Sequence, residues 1–279
     1  SRSKISFCIY TYSYRKGQLC QNFIGFFTCA SGKISCTLQA GMSDYRGMFR
    51  EAIAHGKQRN YRDAIALLRR IVTVTDEIEE AYLYLGRSYH AVGDYSRAVD
   101  SLRRFIDLRP GSSAGHFFLG RSYLSAKEYV LSASSLEKAL ELRPDLSYAK
   151  SLLGYIYLKL RRSSRAVELL AEAVRDQPDN PALYTGYLNA LLIDGIKMFR
   201  QGFHEYAEEA LRFIVDQGDG GILPHLYLGM IHRIRGETGE ALSEYQEALR
   251  HAPGDDLIRY RIAVLMMKAG RQEEASELF

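Results

Sequence analysis

The sequence predicts an all-α solenoid, a stack of antiparallel helix hairpins, and three observations carry that expectation. A 34-residue recurrence runs along the chain: Leu85-Gly86-Arg87-Ser88-Tyr89 returns as Leu119-Gly120-Arg121-Ser122-Tyr123, and a fixed period of this length marks a repeat architecture. Inside each period the apolar residues fall at helical spacing, as Tyr82, Leu85, Gly86 and Tyr89 do at i, i+3, i+4 and i+7. Pro110, Pro144 and Pro178 recur at the same step and cannot continue an α-helix. One such hairpin buries too little apolar surface to hold alone, so stacked copies share a continuous core.

The first 41 residues stand apart from this pattern. They contain all four cysteines (Cys8, Cys20, Cys29 and Cys36), and their five bases face no acid. The remaining chain holds 32 bases against 33 acids, so the net charge of +4 belongs to the first segment alone. Cysteine spacings of 12, 9 and 7, without a close pair or a nearby histidine, argue against a zinc site. Arg15-Lys16 followed by Phe23-Ile24-Gly25-Phe26-Phe27 and Cys29 has the order of an export or lipoprotein leader. The apolar stretch is short for that role, and Thr28 is a poor residue before a lipid-modified cysteine. The leading expectation is a natural start at Met42, or a disordered or non-native extension over 1–41 that adds nothing to the core. No run of about 18 apolar residues occurs, so no membrane span is expected. The expected compartment is the cytoplasm, with export or membrane anchoring the alternative if 1–41 is a true leader.

From residue 45 onward the hairpins follow in order as units 45–78, 79–112, 113–146, 147–180, 188–221, 222–255 and a partial 256–279. In the second unit the first helix ends at Gly93-Asp94, a turn, and Tyr95, Ala98, Val99, Leu102, Phe105 and Ile106 form the buried face of the next helix. Gly86 and Ala98 have little or no side chain, so the two helices can cross closely. Residues 181–187 are seven extra residues, about two helical turns. Asn180 suits an N-cap and Pro181 the first helical position. The expectation is a lengthened first helix in the fifth unit, with Tyr184 and Tyr187 as possible protruding contacts; Thr185 and Gly186 favour a loop insertion instead. Phe279 falls midway through a second helix, so either the chain is truncated there or its last face meets a partner.

These residues resemble the tetratricopeptide repeat (TPR) family over 45–279. The family's motif has small residues at the eighth and twentieth places, an apolar residue at the twenty-fourth and proline near the thirty-second. The eighth place here is Ala52, Gly86, Gly120, Gly154, Gly195, Gly229 and Ala263; the twentieth is alanine in every unit except the third, which has Ser132. Asp76 and Asp219 stand where proline is usual, and those units, with that of Ser132, are expected to be looser. The resemblance implies a right-handed superhelical array that holds a partner segment on its concave face. That face uses the second, fifth, sixth, ninth and twelfth places of each first helix.

No residues assemble into catalytic chemistry, so an enzyme is not expected, and neither a cofactor nor a metal is implied. The seven histidines are scattered without a metal-binding spacing; His55 and His232, at the eleventh place, read as core histidines. Gly218-Asp219-Gly220-Gly221 follows a helix and lacks the lysine of a phosphate loop, so it reads as a helix stop. Arg161-Arg162-Ser163-Ser164-Arg165 reads as a solvated turn. The near-neutral repeats argue against nucleic acid, which calls for a basic stripe.

The implied function is therefore a non-catalytic protein–protein interaction scaffold or adaptor. The alternatives are an exported or lipid-anchored TPR subunit of a cell-envelope assembly, and a substrate-recruiting arm of a larger enzyme. The carboxylate clamp of the chaperone-tail binders is disfavoured, because its places carry Phe49, Ile53, Tyr84, Ala114 and Phe118. The groove expected instead is lined by Leu83, Phe117, Phe118, Tyr148, Tyr155 and Leu158. Arg87 and Arg121 occupy equal places in adjacent units, with stems about 10 Å apart. That lining suits a protein or peptide partner with aromatic or aliphatic anchors and nearby acidic residues. The competing reading is that the aromatics pack between units and both arginines are solvated.

Overall fold

The computed structural model describes residues 34–218 and 220–278, with side chains from Asp44 onward. The leader-like stretch, Cys8, Cys20, Cys29, the Cys36 side chain, Asp219 and Phe279 lie outside the described residues. Among the described residues every regular element is a helix, and the chain divides into two compact units after Ile78.

The first unit is one hairpin of α1 (Ile34–Lys57) and α2 (Tyr61–Val74). It buries Met48 and Ala52 on α1, and Ala64, Leu68 and Ile71 on α2. Helix α1 begins at Ile34, ahead of Met42 and of the repeat pattern that starts at residue 45.

The second unit is an all-α solenoid of six hairpins. They are α3 (Glu80–Ala91) with α4 (Tyr95–Leu108), α5 (Ser113–Ser125) with α6 (Tyr129–Leu142), and α7 (Ser147–Lys159) with α8 (Ser163–Asp176). There follow α9 (Pro181–Arg200) with α10 (His204–Asp216), α11 (Ile222–Arg235) with α12 (Thr238–His251), and α13 (Asp256–Lys268) with α14 (Gln272–Ser276). Each helix packs chiefly on the helices next to it in the chain. Asp94, Ser112 and Asp255 cap α4, α5 and α13, each side chain accepting from backbone N–H groups of the first turn.

The crossing inside a hairpin is set by the eighth place. A methyl group on Gly86 would lie 2.5 Å from Leu102 Cγ, and one on Gly120 would lie 2.7 Å from Leu136 Cγ and 3.2 Å from the Ser132 carbonyl. Gly154 meets Leu170 and Gly229 meets Tyr245 in the same way. The fifth hairpin is roomier, since a methyl group on Gly195 would be 3.4 Å from Ala210 Cβ. Ser132 does not loosen its unit: it is fully buried and its hydroxyl donates to the Gly120 carbonyl at 2.7 Å. The turn between the two helices has its fifteenth-place residue in the left-handed region every time: Arg59, Gly93, Lys127, Arg161, Gly202, Gly236 and Gly270.

Helix α9 runs unbroken through the seven extra residues, with Pro181 in its first turn and the Asn180 side chain accepting from the Leu183 N–H. Tyr184 and Tyr187 are half-buried against α10 rather than protruding. The Tyr184 hydroxyl donates to Gln217 Oε1 at 2.6 Å, and the Tyr187 ring meets the Phe213 ring edge-on at 6.1 Å. Further along α9, Asp194 is fully buried. Its carboxylate accepts from Ser163 Oγ at 2.7 Å, Ser164 Oγ at 2.9 Å and Tyr206 Oη at 3.0 Å. Three helices are thus tied at one carboxylate, and the Ser163-Ser164 pair, expected in a solvated turn, is committed to it. Burial, and then the Asp194 carboxylate, push the Tyr206 hydroxyl up to about 12.

Two measurements follow from this packing. Gly120→Ala must displace Leu136 and is expected to cost about 1–3 kcal/mol in urea unfolding, whereas Gly195→Ala has room and is expected to be neutral or to gain up to about 1 kcal/mol from helix propensity. Equal effects at the two sites would contradict the steric reading. Unfolded tyrosine releases its proton near pH 10 and folded Tyr206 only near 12. The folded chain therefore holds more protons in that window, and stability is full below about pH 10 and falls as pH rises toward 12. Tyr206→Phe should make the urea midpoint less sensitive to pH across that window.

Candidate partner-binding groove

Burial of Ala81, Leu85, Ser88 and Tyr89 on α3 turns the fifth, sixth and ninth places of that helix away from the hairpin core. The same register on α5 and α7 buries Leu119 and Tyr123, then Leu153 and Tyr157. What remains on the opposite face of the three first helices is a connected set of rings and cations. Phe118 is its centre. The Arg87 guanidinium carbon lies 4.7 Å from the Phe118 ring centroid and 5.1 Å from that of Tyr84. That of Arg121 lies 5.7 Å from Phe118 and 5.9 Å from Phe117. Phe117 stands edge-on to Phe118 at 5.2 Å and reaches Tyr148 on α7 at 5.8 Å.

Several of these side chains pack into the stack. Leu83 and Phe118 pack on the buried Leu102, Leu119 and Tyr123, while Phe117 and Leu158 pack on the cluster around Leu136 and Ile156. Each is half-buried, so each supports the stack and still presents a face. Tyr155 stands apart: its ring is exposed beneath the Lys159 ammonium at 5.1 Å, and no ring contact joins it to Phe117, Phe118 or Tyr148 among the described residues. Tyr184 and Tyr187 belong to the α9–α10 contact and not to this face.

The electrostatics of the face are one-sided. Among the described residues no carboxylate lies within ion-pair distance of Arg87 or Arg121, although Arg97 pairs with Asp94 and Arg109 with both Glu79 and Glu80. Glu80, the acid at the second place of the unit 79–112, is thereby already taken. His90, at the twelfth place, is held below its ordinary range by burial and then by the Arg121 charge. Its Nδ1 lies 3.3 Å from the Ser122 hydroxyl. Near neutral pH the charge of this face is therefore carried by the two arginines. Among the described residues no three His, Cys, Asp or Glu side chains come together as a metal site would need, and no helix is long and apolar enough to cross a membrane.

Two tetratricopeptide repeat family models match the chain, one over residues 49–112 and 83–147, the other over 123–188 and 233–279. The chain belongs to the tetratricopeptide repeat family. Solved structures with the same fold include the Naa15/Naa10 complex bound to HypK-THB, at 17% identity and a TM-score of 0.60 over 84% of this chain and 36% of that one. MamA matches at 19% identity and a TM-score of 0.52 over 62% and 94% of the two chains. YrrB, a TPR protein with an unusual peptide-binding site, matches at 17% and 0.51 over 70% and 96%. No curated protein matches the chain by sequence.

The TPR register placed Arg87, Phe118 and Arg121 side by side on paper, but not the sharing of one ring by two cations. Tyr84 and His90 also border the arginines; both stand at groove places of the TPR pattern, which was the available signal. An exposed cation–π contact contributes about 0.5–1 kcal/mol. Arg87→Gln and Arg121→Gln are each expected to leave unfolding stability within about 1 kcal/mol of the parent chain, read from urea midpoints. A loss several times larger would make these arginines structural.

Proposed function

We propose that this TPR array is a non-catalytic interaction scaffold that captures a peptide or helix of a partner protein across α3, α5 and α7. The partner segment carries large aromatic or aliphatic anchors with Asp or Glu beside them. One observation supports this reading above the others: two guanidinium groups from adjacent hairpins lie over the same ring with no carboxylate of the described chain pairing with either. A carboxylate brought in by a partner would meet forked donors that are already oriented, the arrangement in which charge-assisted hydrogen bonds are strongest. The neighbouring rings of Phe117, Phe118 and Tyr148 would take its apolar side chains. The peptide-binding site described for YrrB, a protein of the same fold, agrees with a peptide as the type of ligand.

The test is fluorescence anisotropy with the whole chain and labelled peptides that carry Phe and Leu anchors flanked by either Glu or Lys. The Glu series is expected to bind more tightly and to weaken as salt rises, since charges at an exposed face are screened beyond about 8 Å at physiological ionic strength. Arg87→Glu with Arg121→Glu should lower that affinity by about tenfold or more while the melting curve stays in place. Unchanged binding in the double variant removes the site.

A further inference from the structure

The second helix of the fifth hairpin differs from its counterparts. Phe203, Tyr206 and Phe213 stand at the sixteenth, nineteenth and twenty-sixth places of the repeat. The twenty-sixth place elsewhere is Arg70, Arg104, Lys138, Glu172 and Glu247, all charged. The sixteenth is polar or charged in every other hairpin, and the nineteenth is charged in all others except for Leu131. The three rings are 60%, 42% and 38% exposed. The inserted turns of α9 extend this surface, since Tyr187 meets Phe213 at 6.1 Å and Tyr184 meets Tyr187 at 6.4 Å. Tyr206 spends its hydroxyl on Asp194 and Phe213 one edge on Tyr187, and the rest of each ring stays exposed.

Beside the rings runs a strip of acid. Tyr206, Glu209, Phe213 and Asp216 follow one another at steps of three, four and three, which is a single helix face. Glu205, Glu209 and Asp216 are exposed, and among the described residues none of them pairs with a base. The one arginine of α10 is already committed, Arg212 bonding Glu208 at 2.9 Å and His232 at 3.0 Å. An aromatic strip and an unneutralised acidic strip therefore lie edge to edge. The two principal rings are seven residues apart, about 10 Å along the helix, which matches anchors at i and i+7 of a second helix.

We propose that this face of α10 is a second docking surface, for an amphipathic helix of another protein with aliphatic anchors flanked by Lys or Arg. The charge of the strip selects that occupant. Basic side chains beside the anchors would meet Glu205, Glu209 and Asp216, whereas an acidic helix or an anionic lipid surface would be repelled by them. The groove on α3, α5 and α7 has the opposite preference, so one array would hold two partners of opposite charge at separate places.

The probe is a fluorescein-labelled helical peptide of about five turns, with Leu at i, i+3, i+4 and i+7 and Lys elsewhere; its twin has Glu in place of Lys. Anisotropy is read with the whole chain. The Lys peptide is expected to bind, with affinity falling at least about tenfold in Glu209→Lys/Asp216→Lys and likewise in Phe213→Ser. Asp100→Lys/Asp107→Lys makes the same charge change at the same two places of α4, where no aromatic strip adjoins, and should keep affinity within about twofold. Arg87→Glu/Arg121→Glu should also retain binding, so failure of the groove and failure of this surface are told apart. Thermal melts accompany each variant, and Glu209→Gln/Asp216→Asn replaces the reversed pair should the latter melt early. An equal loss in the α4 variant, or none in the α10 variants, overturns the proposal. So does self-association of the chain that the α10 substitutions abolish, which would make the occupant a second copy.

Discussion

Where the first and second helices cross at Gly86, Gly120, Gly154 and Gly229, the eighth place has no room for a methyl group, and Leu102, Leu136, Leu170 or Tyr245 fills the space that a side chain would take. The two backbones approach until one helix's side chain rests on the other's bare backbone. That contact fixes the rotation of each first helix about its own axis, because the glycine must face its partner. Once Gly86 and Gly120 face inward, the residues that follow them, Arg87 and Arg121, have no choice but the other side. The groove is thus a by-product of the crossing: a steric requirement repeated at equal intervals lines up the ninth places of neighbouring hairpins and brings two cations to one ring.

The fold was legible because this requirement recurs in the sequence as often as it does in the structure. Glycine or alanine at one place, alanine at another and proline after the second helix are local signals, and each copy corroborates the others. Asn180 and Pro181 announced the start of α9 in the same local way. The groove was legible only as far as register reaches. Arg87, Phe118 and Arg121 follow from their places, but Tyr155 shares a groove place and yet pairs with Lys159 instead. The Asp194 junction was not legible at all. Its donors come from residues 163, 164 and 206, and no repeat relates them, so a serine pair in a basic turn looked like any solvated turn. Ser132 misled for a related reason: a hydroxyl at a small-residue place reads as a misfit until its acceptor, the carbonyl it faces, is known.

On second helices several cations are neutralised within one turn, as in Arg97 with Asp94, Lys138 with Glu141, Arg165 with Glu168 and Arg250 with Glu247. Exposed pairs of this kind add little to stability. The arginines of α3 and α5 have rings rather than carboxylates beneath them and keep their charge available. Helix α10 departs from its counterparts in carrying rings at places where nearly all of them carry polar or charged residues. A surface that departs from its own repeat at several places at once is where specificity can be added without touching the contacts that hold the stack.

The left-handed turn residue has a consequence for how the array comes apart. Four hairpins use glycine there, and three use Arg59, Lys127 and Arg161. A residue with a side chain resists that conformation by roughly 1–2 kcal/mol, so in these three the packing of the helices holds the turn shut against its own preference. All three are exposed and are residues that trypsin-like proteases read. A transient opening there relieves strain and presents a cleavable bond in the same movement. Proteolytic wear would accordingly enter at hairpin tips, cutting between the two helices of a unit and leaving the core contacts for last.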